Sequence, residues 1–398
     1  MPLEKVADSL HRCISCGECD SIGPYIPYID AYQVVERWIC PILDRYKFHA
    51  YSARGLVFLA REIYYKDMAI DADVAQVFYS CTTCGTCDEI CPLPLLEIVK
   101  NMREDIARLH PELVPEPNKK RNDHIRSKLN IFGAPNKNRA KWAEGLNLPQ
   151  TGATMLFTGC YSSFRQPDAA RSAVKILRHL GLEVGYLGDQ EKCCGQHCGW
   201  SGEPKLQKEL AQQIIPALTS AGAKQVVFIC PSCYRTFKRD YQEALGQLPF
   251  EVIHITELVD QQLTSGAVKF TKKIDEFVTY HDPCHLSRQH LGRRQAVYDQ
   301  PRNILHAIPG LSFEEITPNK KFALCCGNGA LVTEPGFPEI AANMSAHIFA
   351  AVNQLKKEAL PTLLTSCPHC HETLTNNSRR TKQGIKVKNL VDLMAEAL

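Results

Sequence analysis

The spacing of apolar residues changes twice along this 398-residue chain, and each change predicts a different architecture. Up to about residue 112 the period is helical. Leu56, Leu59, Ala60, Ile63 and Tyr64 fall on one face of a segment that Ser52 can cap, and Leu95, Ile98, Met102 and Ile106 repeat the pattern. Over 113–150 the pattern gives way to Pro, Asn, Lys and Arg. Pro115, Pro117, Pro135 and Pro149 predict helix breaks, and Lys119, Lys120, Arg121, Arg126 and Lys128 cluster there. This stretch reads as the main boundary, its basic run either a solvated linker or a docking surface for an acidic partner.

From Thr154 short apolar runs alternate with amphipathic segments, as βα units do. Positions 155–158, 183–186, 225–229, 277–280 and 363–365 predict strands, and 167–180 a helix. The pattern therefore predicts an α+β multidomain protein, with a helical domain at 1–112, a linker at 113–150 and two α/β, Rossmann-like units at 151–267 and 268–398. Aromatic and apolar residues at Tyr25, Ile26, Tyr28, Ile29, Tyr32 and Trp38 read as a packed lid, with partner docking as the alternative.

Charge adds little. Against 46 basic residues stand 43 acidic ones, and a net charge of +3 is too small to imply binding to nucleic acid or to a membrane surface. No nucleic-acid motif is present. The N-terminus lacks a secretory pattern and no run approaches the roughly 20 apolar residues that span a bilayer, so a cytoplasmic, non-spanning chain is expected.

Cysteine changes the picture, because 18 of the 19 cysteines fall into four ordered sets. A disulfide framework is disfavoured, since such frameworks belong to short secreted chains. Cys81-x2-Cys84-x2-Cys87-x3-Cys91-Pro92 is the full C-x2-C-x2-C-x3-C-P run of a [4Fe–4S] ferredoxin. Cys13-x2-Cys16-x2-Cys19 begins the same run, but Gly23-Pro24 stands where its fourth cysteine belongs. Cys40-Pro41 is the displaced C-P pair, which implies an insertion of about 17 residues within 20–39. By the crossover of two-cluster ferredoxins, Cys13, Cys16, Cys19 and Cys91 hold one cubane, and Cys81, Cys84, Cys87 and Cys40 the other. Without Cys40 the second becomes a three-iron site. Zinc is the competing reading of paired C-x-x-C motifs, and the triple spacing with C-P opposes it.

The remaining sets form an internal repeat. Cys160, Cys193-Cys194, Cys230 and Cys233 recur in order as Cys284, Cys325-Cys326, Cys367 and Cys370, with Gly195 and Gly327 closing the adjacent pairs. Both C-P-x-C motifs are placed where a strand ends and a helix begins, the edge at which α/β folds bind ligands, and the helix dipole there favours thiolates. Glycine beside the pairs suggests close approach of backbone to a bulky inorganic group. Five thiols exceed the four that zinc or a cubane takes, which points to a larger or opened cluster.

These motifs, with Tyr51-Ser52-Ala53-Arg54-Gly55 between the ferredoxin runs, resemble the cysteine-rich (CCG) domain family, in particular heterodisulfide reductase catalytic subunits of the D type. The resemblance spans about residues 10–398. It implies a helical ferredoxin domain fused to two CCG repeats related by a pseudo-two-fold axis, each complete five-cysteine set holding a non-cubane [4Fe–4S] cluster. It implies that electrons pass from the cubanes to these centres, where a disulfide is reduced or formed. Cys198 is an extra thiol, read as a buried bystander, with a place among the first set's ligands as the alternative.

His281, His285, His369 and His371 flank the second set; they read either as ordinary supporting or surface histidines or as proton suppliers, and His285 and His369 are the candidate proton donors. Thr158 and Ser232 stand where the first repeat lacks His281 and His369, so proton-coupled chemistry is expected at the second site. Arg288, Arg293, Arg294, Lys320 and Lys321 either attract an anionic substrate or line solvated helix faces. No G-x-G-x-x-G follows a predicted strand, so flavin and nicotinamide are not expected in this chain. The family resemblance implies that electrons come from an A-type flavoprotein or a membrane cytochrome within a hetero-oligomer. The competing function is an electron-transfer component of a larger flavin-containing complex, such as one coupled to reduction of an aromatic acyl-thioester, with no disulfide substrate.

Overall fold

The computed structural model describes residues 2–20, 39–289 and 296–398. The aromatic insert and the pair Arg293 and Arg294 lie outside this description. Mixed helix and parallel sheet make up the rest, so the molecule is α+β.

The N-terminal part is helical. Ser52 caps helix Ala53–Tyr65, its Oγ accepting from the Gly55 amide at 3.0 Å, and Asp71 caps helix Ala72–Ser80 through the Val74 amide at 2.9 Å. Helix Leu95–Leu109 buries the predicted face of Leu95, Ile98, Met102 and Ile106. Its Arg103 is fully buried and donates to the carbonyls of Phe78, Cys81 and Trp200 at 3.0, 2.6 and 3.0 Å. One guanidinium thus satisfies the open end of the preceding helix and ties it to the next part of the chain.

The segment 113–150 is structured. Helix Glu116–Lys128 runs through Pro117, because proline in the first turn removes only an amide that has no helical partner. Asn118, Asn122, Ile125, Arg139 and Trp142 are buried. Lys120, Arg126 and Lys128 face outward, whereas Arg121 turns in and donates to the Leu331 carbonyl at 3.0 Å.

Two parallel four-stranded sheets follow. Strands β1 (Thr154–Phe157), β2 (Val184–Gly185), β3 (Gln225–Phe228) and β4 (Glu251–His254) are ordered β2-β1-β3-β4. Strands β5 (Phe277–His281), β6 (Ser312–Phe313), β7 (Thr362–Thr365) and β8 (Val387–Asn389) repeat that order as β6-β5-β7-β8. Every predicted strand is present, with ends that differ by a residue or two. The sheets join through reciprocal helix pairs: Pro167–His179 packs on Leu390–Ala397, and Ile255–Thr264 on Asp299–Ala307. A separate core joins the N-terminal helices to the second sheet unit, with Leu56, Phe78 and Met102 contiguous with Ile340, Met344 and Leu363. Among the described residues no helix is long and apolar enough to cross a membrane.

Candidate metal centres

The ferredoxin-type cysteines sort into two cavities. One, of about 330 Å³, is lined by Cys13, Cys16, Cys19 and Cys91. The other, of about 30 Å³, is lined by Cys40, Cys81, Cys84 and Cys87, and shares Cys19 with the first. Cys91 therefore turns away from its own run and Cys40 takes its place. Both loops use left-handed residues before and after the second cysteine, Ser15 and Gly17 at φ 56° and 83°, Thr83 and Gly85 at φ 49° and 76°. That curl aims successive thiols inward, at a strain of about 1–2 kcal/mol for each non-glycine. The Tyr51-to-Gly55 motif supports the first loop: the Arg54 amide donates to buried Asp20 at 3.2 Å, and a Cβ on Gly55 would stand 2.0 Å from the His49 carbonyl.

Both five-cysteine sets assemble, with all but Cys284 buried. In the first, side chains interact in the sequence Cys160, Cys193, Cys194, Cys233, Cys230. In the second they follow the same sequence, Cys284, Cys325, Cys326, Cys370, Cys367. Cys230 and Cys367 are the N-caps of helices that open with Pro231 and Pro368, at the carboxyl ends of β3 and β7. The Gly195 and Gly327 amides donate to the sulfurs of Cys193 and Cys325 at 3.4 and 3.3 Å. Both glycines are closely packed: at φ 70° and 83°, their missing Cβ atoms would meet Gln207 and Leu210, or Ala341. The glycine that does face sulfur is Gly159, where a Cβ would lie 2.8 Å from the Cys233 sulfur. Among the described residues no three His, Cys, Asp or Glu side chains stand as a ready site for one metal ion.

Each leading cysteine has a buried acid–arginine pair nearby. Glu191 accepts from the amides of Thr158 and Gly159 at 2.9 and 3.0 Å and from Arg139 at 2.9 Å, and Arg139 also reaches the Cys160 sulfur at 3.5 Å. In the second unit Asp282 takes both Nη atoms of Arg302 at 2.8 Å. Cys198 is fully buried, and burial pushes its thiol well up.

The two sets face each other across one serine. Ser232, inside the first C-P-x-C, places its Oγ 3.0 Å from His285 Nδ1 and 3.4 Å from His369 Nδ1, and Tyr161 meets His369 edge-on at 4.4 Å. Burial pushes His369 down to about 4, which leaves it neutral at pH 7. His281 is engaged elsewhere, its Nε2 donating at 3.0 Å to the carbonyl of Leu324, the residue before Cys325. Its first-unit counterpart is Phe157, not Thr158: Phe157 pairs with Phe228 as His281 pairs with Thr365, and the leading cysteine follows three residues later in both.

Known proteins share this layout. A 4Fe-4S dicluster domain model matches residues 9–95, and a cysteine-rich domain model matches 154–238 and 278–375. The D subunit of the dihydromethanophenazine:CoB--CoM heterodisulfide reductase of Methanosarcina barkeri is 30% identical, over 98% of this chain and 94% of its own. The chain belongs to the family of heterodisulfide reductase D subunits. Also similar are the EtfAB:quinone oxidoreductase of Syntrophomonas wolfei, 26% identical over 98% of this chain and 58% of its own, and the B subunit of the fumarate reductase (CoM/CoB) of Methanothermobacter marburgensis, 30% identical over 81% and 62%.

In this member of the family, the cationic residues near the second set separate. Arg288 is 5% exposed and unsuited to meeting a substrate from solution, whereas Lys320 is half-exposed and pairs with Asp299 at 2.7 Å. Sequence reasoning missed Arg139, Glu191 and Gly159. Arg139 carried no signal, lying in what reads as linker, while the single residue between Glu191 and Cys193 was a usable one.

Proposed function

We propose that the chain is a heterodisulfide-reductase-type iron–sulfur oxidoreductase acting within a larger complex. In this reading Cys13, Cys16, Cys19 and Cys91 hold one cubane [4Fe–4S] cluster and Cys81, Cys84, Cys87 and Cys40 a second. Two non-cubane [4Fe–4S] clusters lie on Cys160, Cys193, Cys194, Cys230 and Cys233, and on Cys284, Cys325, Cys326, Cys367 and Cys370. The observation that carries the reading is the identical order of thiol contacts in the two five-cysteine sets, which face each other across Ser232. The donor set fits such groups: two quartets of cysteine line cavities, and Gly159 leaves its side of the Cys233 sulfur uncrowded. Matching strand orders and reciprocal helix pairs support duplicated Rossmann-like units about a pseudo-two-fold axis.

When loaded, such centres supply electrons singly, and reduction of a disulfide, RSSR′ + 2e⁻ + 2H⁺ → RSH + R′SH, needs two of each. The protein's own share is access and protons. His285 and His369, linked through Ser232 between the two sets, are the candidate donors, with His369, neutral at pH 7, passing a proton on rather than storing one, and Tyr161 packs edge-on against His369. Relatives named as the D and B subunits of reductases support assembly into a hetero-oligomer. The electron donor there is an A-type flavoprotein or a membrane cytochrome, with this chain on the cytoplasmic side.

A second reading, an electron relay within a flavin-containing complex that lacks a disulfide substrate, is favoured by the likeness to the EtfAB:quinone oxidoreductase across nearly the whole chain. Anaerobically purified chain is expected to carry about 16 irons, four per cluster, and to cleave a heterodisulfide with a reduced dye as donor. Full iron without turnover would favour the relay. Four irons or fewer would refute the cluster count.

A further inference from the structure

Arg288 follows the short helix Cys284–Ser287 and turns into the protein. Its Nε donates to the Cys84 carbonyl at 3.0 Å and its Nη1 to the Ala323 carbonyl at 2.6 Å, while neighbouring Gln289 donates to the Thr83 carbonyl. These bonds clamp the second ferredoxin loop to the stretch of chain that leads into Cys325-Cys326. The Cys84 and Cys325 side chains interact directly there. Cys84, Cys284 and Cys325 are also the thiols whose charges act most strongly on the guanidinium. Among the described residues its buried Nη2 finds no hydrogen-bond partner.

A buried guanidinium is costly to desolvate unless negative charge or hydrogen-bond acceptors offset the loss of water. Among the described residues no carboxylate forms an ion pair with Arg288. Arg139, which touches the first set, differs in that Glu191 neutralises it at 2.9 Å. The nearby negative charge that acts most on Arg288 is that of sulfur, drawn from two sets at once.

We infer that Arg288 is a positioning residue that sets the reduction potentials of two centres together, the second cubane and the second five-cysteine centre, raising both above their first-set counterparts; the inference rests on the cluster reading above. An electron added to an iron–sulfur centre increases its negative charge, and a fixed cation in a low-dielectric interior stabilises that state. Its Nη2, without a partner among the described residues, would be free to donate to the sulfur of a bound centre, another means by which proteins raise cluster potentials. Electrons entering through the exposed Cys16 side of the first cubane then collect at the second five-cysteine centre, next to His285 and His369, before they reach the first.

The test is a potentiometric titration of the full, iron-loaded chain followed by electron paramagnetic resonance, with signals assigned through Cys87→Ser and Cys326→Ser. In the unsubstituted chain the two second-set centres should be reduced ahead of the first-set pair. Reduction of the first five-cysteine centre ahead of the second would overturn the inference with no arginine variant needed. Arg288→Gln should lower both second-set potentials and leave the first cubane unmoved, and Arg288→Lys, which keeps the charge, should restore most of the difference. Equal behaviour of the Gln and Lys variants would reduce Arg288 to a structural clamp. An iron-free unsubstituted chain would defeat the cluster reading and this one together, whereas full iron with unmoved potentials defeats only the role of Arg288.

Discussion

Cys40 illustrates how much a single residue can decide. Spacing alone marks it as the displaced fourth cysteine, and the structure brings it to the cavity lined by Cys81, Cys84 and Cys87. Cys40→Ala should cost about one iron of the roughly 16 and give a three-iron resonance signal, with the other centres retained. Gly159 is the converse case, a residue with no motif around it. At φ 70°, with the Cys233 sulfur 2.8 Å from any added Cβ, Gly159→Ala must shift either the backbone or the thiol. Iron is expected to fall at the first five-cysteine set while the second is untouched, readable as loss of one cluster signal. Cysteines were legible because their chemistry is in the side chain. Gly159 and Arg139 were not, because their roles depend on what lies opposite, and Glu191 was marked only by its place two residues before Cys193.

Short elements carry the candidate ligand cysteines, and the one that follows Cys40 is held from a distance. Helix Pro41–Tyr46, which Cys40 caps, has only six residues, too few to stand alone. Asp44 anchors it by accepting from Asn343 and, at 2.7 Å, from His347, both on helix Pro338–Gln354, and Tyr46 donates to Glu339 at 2.7 Å. Burial pushes the Asp44 carboxyl up, but hydrogen bonds from His347, Lys47 and Asn343 outweigh it and hold it at about 2. Since this lies below the usual carboxylate value of about 4, the stabilisation is fully present above that pH and is lost as pH falls towards 2. Asp44→Asn should therefore lower the melting temperature at pH 6 and converge with the parent near pH 2, in thermal scans across pH. The helices after Cys230 and Cys367 were readable from C-P-x-C. Helix Glu116–Lys128 was not, because Pro117 reads as a break along the chain although it occupies a first turn.

At the scale of the whole molecule, the ferredoxin part is not a detachable module. Its helices share a core with the second sheet unit, and Arg103 bonds to carbonyls on both sides of the junction with Trp200. Thr333 adds a bond to the Cys81 carbonyl at 2.7 Å. Arg103→Ala would strand several buried carbonyls and should destabilise the chain by about 3–5 kcal/mol, measured by denaturant unfolding. Loss of visible cluster absorbance should coincide with loss of helix. Two independent transitions would instead mean that the parts fold separately.

By itself the sequence determined the four cysteine sets that are candidates to hold iron, their order, the repeat and the strand-to-helix edges on which the C-P-x-C motifs sit, because thiol chemistry, proline and apolar period are local properties. Only the tertiary structure decided that Cys84 meets Cys325, that Ser232 stands between His285 and His369, and that Arg288 is buried between two sets. Those contacts join residues far apart along the chain, and packing rather than spacing selects them.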